Sequence, residues 1–482
     1  MKTILAFIIS LIVAGPVIAA DKAKPNIVLI FADDLGWKDV GYQGTDYYET
    51  PNIDRLSKEG MVFTAGYAGA GNCQPSRACL LSGQYTPRHG VFAVGDTNRG
   101  PKVEMRLIPI PNVNGLASGN VTMAEALKAA GYATGIFGKW HLEEKPGVEP
   151  GKQGFDTVVE SYRGWKTKAD KNPKGIYSLT QAAGEFMENN KDRPFFVYLP
   201  HYAIHVGHQS LPATMAKFKA KERGKQHNDS AYAACLADLD DGVGILLKKL
   251  AGLGLEKNTL VVFTSDNGGY SQSSQEPLRG NKGSYYEGGI RAPFIARWPG
   301  VIQPGSRCDV PVINQDLYPT FLAAADAPVP ADKVLDGESL LPLFKGEAAL
   351  KREALFWQFP GYLDNPVRRG REIDVRAGFR SRPVSVIHKG DWKLHLFFEE
   401  WVLDGGREKL ATNHAVELYN LKDDIGERTD LANSNSAKRD ELLDDLLEWQ
   451  KSVNAPIPTK PNPDYAPGTG AKGRSKRAKT ED

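Results

Sequence analysis

Cys73 stands directly ahead of a predicted helix, at a position where a helix favours an anionic side chain. Pro75 suits the first helical position, where its missing N–H costs nothing, and Gly83 ends the helix that follows. The unpaired N–H groups of this helix start favour negative charge near Cys73. Arg77, one turn further on, can face the same point. A buried cysteine beside a surface arginine is the ordinary interpretation of such a pair, so a chemical role needs supporting residues elsewhere in the chain.

Oxygen-bearing side chains follow two apolar stretches that predict buried strands, residues 25–31 and 259–264. These side chains are Asp33, Asp34, Asp266 and Asn267. A turn explains either group taken alone. The carboxyl ends of parallel strands meet at one edge of a sheet, and adjacent carboxylates repel each other unless a cation joins them. Together the two groups therefore favour a site for a hard cation such as Ca²⁺.

Two cationic or titratable side chains follow a third predicted strand, residues 131–137. Lys139 and His141 alternate with Trp140, so a chain that stays extended would point both toward one face. Because this strand end also belongs to the carboxyl edge of the sheet, we expect both side chains in the same pocket as Asp33.

A fourth predicted strand, residues 194–199, leads into a segment that contains three histidines. His201, His205 and His208 are all candidates for proton transfer on the residues alone. A loop histidine bonded to the backbone is the alternative interpretation. Lys282 lies between glycines, which permit close approach of a ligand to the backbone.

The composition is that of a globular protein with more than one domain. The chain has 482 residues, of which 41% are hydrophobic and 24% charged, and two domains are expected at this length. Its net charge of +2 argues against a nucleic-acid partner. The four cysteines fall in different predicted elements, which is not the pattern of a disulfide framework.

Residues 1–20 have the pattern of a secretory signal peptide. Lys2 supplies the charged start, residues 4–13 supply a short apolar core, and residues 18–20 supply a small-residue cleavage site. The apolar run is too short to span a bilayer comfortably, and no later stretch predicts a membrane helix. We therefore expect an exported protein, periplasmic or secreted, without stable membrane insertion.

The segment Cys73-Gln74-Pro75-Ser76-Arg77, followed by Leu-Ser-Gly, resembles the maturation signature of the type I sulfatases. Four signatures of that family occur in the family's order, and the resemblance covers about residues 25–450. Besides the cysteine motif they include Gly138-Lys139-Trp140-His141 as the second, and the segment from Leu278 to Gly283 together with that from Glu287 to Pro293 as the fourth. The segment around His205 departs from the family's usual Pro-His-x-Pro, because Ile204 and Val206 stand at its flanks.

The resemblance implies a mechanism and a set of partners. A formylglycine-generating maturation enzyme would oxidise Cys73 to formylglycine (3-oxoalanine), whose hydrate attacks sulfur and forms a covalent sulfo-enzyme. One Ca²⁺ would be held by Asp33, Asp34, Asp266, Asn267 and the oxygen of residue 73. The remaining implied roles are sulfate binding by Lys139 and Lys282, protonation of the leaving oxygen by His205, release of sulfate by His141, and support of the site by Arg77.

The resemblance also implies a fold related to the alkaline phosphatases. We expect an α/β protein with a large mixed, mostly parallel sheet between helices, and a smaller C-terminal domain with an antiparallel sheet and a helix. The predicted units are a signal peptide at residues 1–20, a catalytic domain at 21–350, a C-terminal subdomain at 351–454 and a disordered tail at 455–482. The tail is predicted from its Pro, Gly and Lys content.

The expected activity is hydrolysis of sulfate esters on a sulfated poly- or oligosaccharide, with an algal galactan such as carrageenan preferred by analogy. Six arginines close in sequence, preceded by Trp357, Phe359 and Tyr362 as candidate sugar-stacking rings, favour a polyanionic glycan. These arginines are Arg368, Arg369, Arg371, Arg376, Arg380 and Arg382.

Three alternatives remain open at this point. The first is a glycosaminoglycan sulfatase or a general arylsulfatase. The second is a phosphomonoester or phosphonate hydrolase of the same fold, although the chain lacks the further Asp and His residues expected for a second metal ion. The third is an inactive glycan-binding protein in which Cys73 stays unconverted.

Overall fold

The computed structural model describes residues 24–160, 170–364 and 378–467. The predicted signal peptide lies outside these residues, and so do four of the six clustered arginines: Arg368, Arg369, Arg371 and Arg376. Within the described parts of the chain, no helix combines the length and the apolar character needed to cross a membrane.

The described residues contain fourteen strands. They are β1 (Asn26–Ala32), β2 (Met61–Phe63), β3 (Gly66–Tyr67), β4 (Ala133–Phe137), β5 (Thr157–Val159), β6 (Phe195–Pro200), β7 (Thr259–Ser265), β8 (Phe294–Arg297), β9 (Ser306–Cys308), β10 (Val312–Ile313), β11 (Ala354–Phe359), β12 (Val384–Lys389), β13 (Trp392–Phe397) and β14 (Val416–Asn420).

The α-helices of the same residues are α1 (Pro51–Glu59), α2 (Cys73–Ser82), α3 (Thr86–His89), α4 (Met123–Ala129), α5 (Ile176–Asn189), α6 (Pro212–Ala220), α7 (Ser230–Gly252), α8 (Glu287–Ile290), α9 (Leu317–Ala324), α10 (Leu341–Phe344), α11 (Phe398–Leu403), α12 (Leu410–Asn413) and α13 (Ser436–Ser452).

The large sheet has eight strands in the order β5-β4-β6-β1-β7-β8-β2-β9. The central strand β1 runs parallel to β6 on one side and to β7 on the other, and β4 continues the parallel arrangement beyond β6. Strand β8 is antiparallel to both of its neighbours, β7 and β2. The sheet is therefore mixed and mostly parallel, as predicted, and the carboxyl ends of β1, β4, β6 and β7 lie along one edge.

Both faces of the large sheet are buried because its central strands are mostly apolar and every position of β1, β6 and β7 is buried. In β1, Ile27, Leu29 and Phe31 pack into one core with α2, α4 and α9, while Val28 and Ile30 pack into a second core with α1, α5 and α7. Burial of each such side chain contributes about 1.5–3 kcal/mol to folding. Two helical layers thus hold the sheet and leave its carboxyl edge as the place where polar side chains can gather.

The small sheet has the order β11-β12-β13-β14 and is antiparallel throughout. Helix α13 packs against it, and the ring of Phe356 on β11 stacks on that of Trp449 with 4.7 Å between centroids. The predicted antiparallel sheet with a closing helix is confirmed.

The structure differs from the sequence predictions at two places. The rings of Trp357, Phe359 and Tyr362 are at most 1% exposed, so the prediction that they stack on sugars is wrong. Trp357 and Phe359 belong to the core that includes the small sheet, and Tyr362 packs in a separate cluster with two other buried residues. Residues 455–467 are bonded to the loop after α3, since the N–H of Ile108 donates to the carbonyl of Lys460 at 2.9 Å. The predicted disordered tail therefore does not begin at residue 455.

Candidate active site

The carboxyl ends of four strands and the N-terminus of α2 surround one cleft of about 480 Å³. Six of the predicted site residues line it: Asp34, Cys73, Lys139, His141, His205 and Lys282. The other four are fully buried directly beneath: Asp33, Arg77, Asp266 and Asn267. The structure thus brings all of the predicted residues together from distant parts of the chain.

Asp33 and Asp34 follow β1 and point to different partners. Asp34 adopts a left-handed backbone conformation with φ of 66°, an uncommon state for a residue with a side chain. Its N–H donates to Oδ1 of Asp266 at 3.1 Å, which ties the end of β1 to the end of β7. This turn lets two adjacent carboxylates face the same cleft from different directions.

Arg77 reaches from α2 to the floor of the cleft and is fully buried. Its Nε and Nη2 donate to Oδ2 of Asp266 at 3.0 and 2.7 Å, and its Nη1 donates to the carbonyl of Lys139 at 3.0 Å. Burial raises the pKa of Asp266, the charge of Asp33 raises it further, and Arg77 opposes both. The ordinary interpretation of the sequence, a buried cysteine beside a surface arginine, is therefore wrong for Arg77.

Each of the two cleft lysines is paired with one aspartate. Nζ of Lys139 lies 2.7 Å from Oδ2 of Asp33, and Nζ of Lys282 lies 2.6 Å from Oδ1 of Asp34. Burial alone would raise the pKa of Asp33, but Lys139 and other nearby cations hold it well below its usual value. Burial alone would lower the pKa of Lys282, yet Asp34 raises it. Both lysines therefore stay charged at the mouth of the buried acidic cluster.

His141 lines the cleft from the loop that follows strand β4. Strand β4 ends at Phe137, and His141 has φ of 66°, so the alternation expected of an extended chain does not hold. Trp140 is buried instead, with its Nε1 donating to the carbonyl of Val148 at 2.9 Å. Burial lowers the pKa of His141 to about 3, with Lys139 contributing, so its ring is neutral. Its buried Nδ1 has no partner within the described residues.

The three histidines after β6 have different surroundings. His205 lines the cleft with its Nε2 3.9 Å from Oδ2 of Asp34 and its side chain 36% exposed. His201 is fully buried, and neither ring nitrogen has a hydrogen-bond partner among the residues that the structure describes. His208 packs edge-on against Tyr232. Of the three, His205 is the one that can reach a substrate. Burial lowers its pKa, against the opposing charges of Asp33 and Asp34.

The acidic cluster fits a cation. Donor atoms of Asp33, Cys73 and Asp266 lie within 4.8 Å of one another. Oδ1 of Asp33 and Oδ1 of Asn267 are buried and have no hydrogen-bond partner in the described part of the chain. Leaving such oxygens unpaired is costly unless a cation takes their lone pairs. An all-oxygen set around residue 73 is the donor chemistry that Ca²⁺ prefers.

Cys73 is the first residue of α2 and is 2% exposed. Within the described residues no disulfide joins Cys73 to Cys79, Cys235 or Cys308. The cleft is also lined by residues that sequence reasoning did not predict as site residues: Asn72, Val94, Arg99, Val206 and Tyr270. Arg380, predicted only as one of the clustered arginines, lines it as well. Asn72 precedes the helix and Tyr270 follows the Asp-Asn-Gly-Gly segment, so adjacency to known motifs was the available signal.

Comparisons with known proteins agree on one family. Residues 25–327 match the family model described as Sulfatase, and residues 281–377 match the model described as N-sulphoglucosamine sulphohydrolase, C-terminal. A protein described as Sulfatase from Formosa agariphila is 34% identical over 525 residues, covering 90% of each chain. N-acetylgalactosamine-6-sulfatase of Mus musculus is 30% identical, covering 93% of this chain and 89% of that protein.

Among solved structures, the crystal structure of Ps i-CgsB in complex with k-i-k-neocarrahexaose is similar, with a TM-score of 0.71 and 29% identity. The likeness covers 95% of this chain and 98% of the other. These matches span the cleft residues as well as both sheets. The chain belongs to the sulfatase family and is a sulfuric ester hydrolase.

Proposed function

We propose that this protein is exported and hydrolyses sulfate esters of a sulfated poly- or oligosaccharide, with formylglycine made from Cys73 and one bound calcium ion. The observation that carries the proposal is the convergence on one cleft of Cys73, a buried acidic cluster and two paired lysines. The family membership supports the reaction class, and the roles below follow from the contacts of each side chain.

The acidic cluster would hold the metal ion, and residue 73 beside it would carry the modified side chain. Calcium, when bound by Asp33, Asp34, Asp266, Asn267 and residue 73, supplies positive charge to the sulfate oxygens. Formylglycine, when formed at residue 73, supplies through its hydrate an oxygen nucleophile toward sulfur.

The two lysines would bind the sulfate oxygens. Their amines already stand at the cleft surface, each held by one aspartate. When a cation joins those carboxylates, each ammonium can turn its free N–H groups to the substrate. The charge that develops on the sulfate oxygens in the transition state would then meet fixed positive groups in a largely water-excluded site.

The two histidines would move protons at opposite ends of the reacting bond. Nε2 of His205 is on the exposed side of the cleft, where it can protonate the leaving sugar oxygen. The neutral ring of His141, buried beside Lys139, can accept a proton from a hydroxyl of residue 73. Arg77 touches no substrate in this arrangement and acts by holding Asp266 and the carbonyl of Lys139.

A glycan substrate is supported by what the relatives act on or bind. One relative is named for N-acetylgalactosamine 6-sulfate, and the structural neighbour was crystallised with a neocarrahexaose. The predicted signal peptide supports export, and sulfated glycans are the abundant sulfate esters outside cells. Within that class we prefer a sulfated galactan, with glycosaminoglycans next.

The test is to produce the protein with and without a formylglycine-generating enzyme and to follow residue 73 by peptide mass spectrometry. We expect turnover of 4-nitrophenyl sulfate and release of sulfate from galactan or glycosaminoglycan oligosaccharides only in the converted protein. Cys73→Ala should lose this activity, whereas Cys308→Ala is the matched control on a distant short strand.

Two results would contradict the proposal. One is sulfate release by the unconverted protein at the rate of the converted one. The other is faster turnover of 4-nitrophenyl phosphate than of 4-nitrophenyl sulfate, which would favour the phosphate hydrolase alternative. Tight glycan binding with no turnover after conversion would favour the inactive binding protein.

A further inference from the structure

Lys174 lies directly before α5 and is buried, although the steps proposed above give it no role. The residue is 2% exposed, and its backbone is left-handed with φ of 52°. Burial lowers the pKa of its ammonium group, and the carboxylates of Asp33 and Asp34 are among the groups that oppose this effect. Because most lysines keep their charge in water, an ammonium group held inside the protein needs a local reason.

Two contacts join Lys174 to the segment that follows β6. Its Nζ donates to the carbonyl of Val206 at 3.1 Å, and its N–H donates to Oε1 of Gln209 at 2.9 Å. Val206 directly follows His205, and both residues line the cleft. A charged donor bonds a carbonyl more strongly than a neutral donor does, which suits a contact that must hold a loop in place.

The chain on the other side of His205 is held by Asp33. The N–H of Asp33 donates to the carbonyl of Ala203 at 2.9 Å, and the carbonyl of Asp33 accepts the N–H of Ile204 at 2.7 Å. A proposed metal ligand thus fixes the segment before His205, while Lys174 fixes the segment after it. With the backbone held on both sides, the ring of His205 can keep one position in the cleft.

A proton donor needs such a fixed position. His205 lies in a loop between β6 and α6, so its placement depends on the contacts of that loop and not on the hydrogen bonds of a strand or helix. Proton transfer to a leaving oxygen requires hydrogen-bond distance between the donor nitrogen and that oxygen. A displacement of about 1 Å can cost about a hundredfold in rate.

We propose that Lys174 is a positioning residue for His205, which it holds at the leaving-group side of the cleft through the carbonyl of Val206. The inference rests on the proposed function, in which His205 protonates the leaving sugar oxygen. Lys174 itself touches no substrate and acts through the loop. Its loss should therefore impair the cleavage of poor leaving groups, which need the proton, and spare good leaving groups, which depart as anions.

The experiment compares two aryl sulfates of similar size in the converted protein with calcium present. 4-Nitrophenolate is a weak base and leaves without a proton, whereas phenolate is a stronger base and gains more from an acid. We expect Lys174→Met to lower kcat/KM for phenyl sulfate by about tenfold to a hundredfold. The value for 4-nitrophenyl sulfate should change by less than about threefold, because its cleavage needs little proton transfer.

His205→Gln provides the reference, because it removes the proton donor and should show the same selective loss. If Lys174 acts through His205, Lys174→Met should cause no further loss in the His205→Gln background, so that the two effects are not additive. Gln209→Leu removes the other contact of Lys174 with the loop and leaves the ammonium group in place. It should cause a smaller selective loss, and it serves as the test variant where Lys174→Met does not fold.

Hydrogen exchange of residues 203–209, followed by mass spectrometry, measures the loop contact without turnover. In the unconverted protein, Lys174→Met should exchange about tenfold faster than the wild type in this segment, the effect of losing one charged hydrogen bond. The matched control is Lys249→Met, which removes a contact with Glu188 on α5 outside the cleft. This control should keep the wild-type exchange in the segment and the wild-type rates for both esters.

Equal losses for the two esters, or losses that add in the double variant, would overturn the proposal. So would exchange of residues 203–209 that neither Lys174→Met nor Gln209→Leu increases. Failure of the proposed function gives a different result, because the converted wild type would then release sulfate from none of the aryl or glycan esters. Faster exchange in Lys174→Met would in that case still support the positioning of the loop.

Discussion

Replacing Arg77 with methionine tests whether the buried acidic cluster is built to hold a cation. Methionine keeps most of the length of the side chain and its packing near the ring of Phe31, from which the guanidinium carbon lies 5.3 Å. The change removes two bonds to Asp266 and one to the carbonyl of Lys139. The carboxylate of Asp266 then stays fully buried without its closest positive partner.

Breaking a buried ion pair by removing one partner costs about 3–5 kcal/mol of unfolding free energy. We expect Arg77→Met to lose about that amount in the metal-free protein. The loss of unfolding free energy cannot exceed the cost of protonating Asp266, because a neutral carboxyl group needs no positive partner. Burial already raises the pKa of this group and so makes its protonation easier. A calcium ion among the carboxylates would supply the missing charge, so added calcium should stabilise the variant more than it stabilises the wild type.

Denaturant unfolding followed by tryptophan fluorescence measures both effects, with each protein compared in a chelator and in calcium. The matched control is Arg55→Met, since that side chain is 51% exposed and lies 3.8 Å from Glu59 on the surface of α1. An exposed pair of this kind is worth about 0–1 kcal/mol. If Arg77→Met loses no more than Arg55→Met, the argument from buried charge fails. If it loses the expected amount but calcium restores nothing extra, the carboxylates do not form the metal site.

Three further predictions follow from other contacts. Lys282→Met should lower kcat/KM for 4-nitrophenyl sulfate about a hundredfold to a thousandfold in the converted protein, the usual cost of losing one transition-state donor, and a loss of less than tenfold would exclude sulfate binding by Lys282. Burial lowers the pKa of His201 from 6.5 to about 3, so the unfolded chain binds a proton below pH 6.5 that the folded chain does not. The unfolding free energy should therefore decrease as the pH is lowered below 6.5. His201→Asn should reduce the slope of unfolding free energy against pH in this range by about 1.4 kcal/mol per pH unit. An unchanged slope would show that His201 is protonated in the folded protein. Deleting residues 456–482 should increase proteolysis of the loop at 90–115, because Lys460 bonds to Ile108 there; an unchanged cleavage rate would show that this contact does not hold the loop.

The strands that carry the site could be predicted because each contains an unbroken apolar run, residues 27–31 in one and 260–263 in the other. Residues 25–31 and 259–264 were expected as buried strands, and β1 and β7 occupy Asn26–Ala32 and Thr259–Ser265. Each strand is followed directly by polar side chains whose burial in an apolar core would be costly. Local composition alone therefore located the acidic half of the site, and the motif resemblance assigned its chemistry.

The parts that could not be predicted depend on long-range contacts. Lys139 and His141 both reach the cleft, but the chain between them turns, because Trp140 is drawn into the core and His141 takes a left-handed conformation. No local pattern shows that Arg99 and Arg380 line the same cleft, since they come from loops far apart in the chain. The aromatic residues near 360 were misassigned for the same reason: only its packing with other buried residues shows that Tyr362 is covered.

The small domain contributes to the site through a buried ion network. Lys393 on β13 is fully buried with its Nζ 2.9 Å from Oε1 of Glu287, the first residue of α8. The same short helix contains Gly289, whose carbonyl accepts the N–H of Gly268. Gly268 directly follows the proposed ligand Asn267. A buried pair of this kind adds little net stability, but removing one partner is costly, so it selects one arrangement over others. The C-terminal sheet therefore constrains the position of the loop that completes the acidic cluster, and the two domains act as one frame around the cleft.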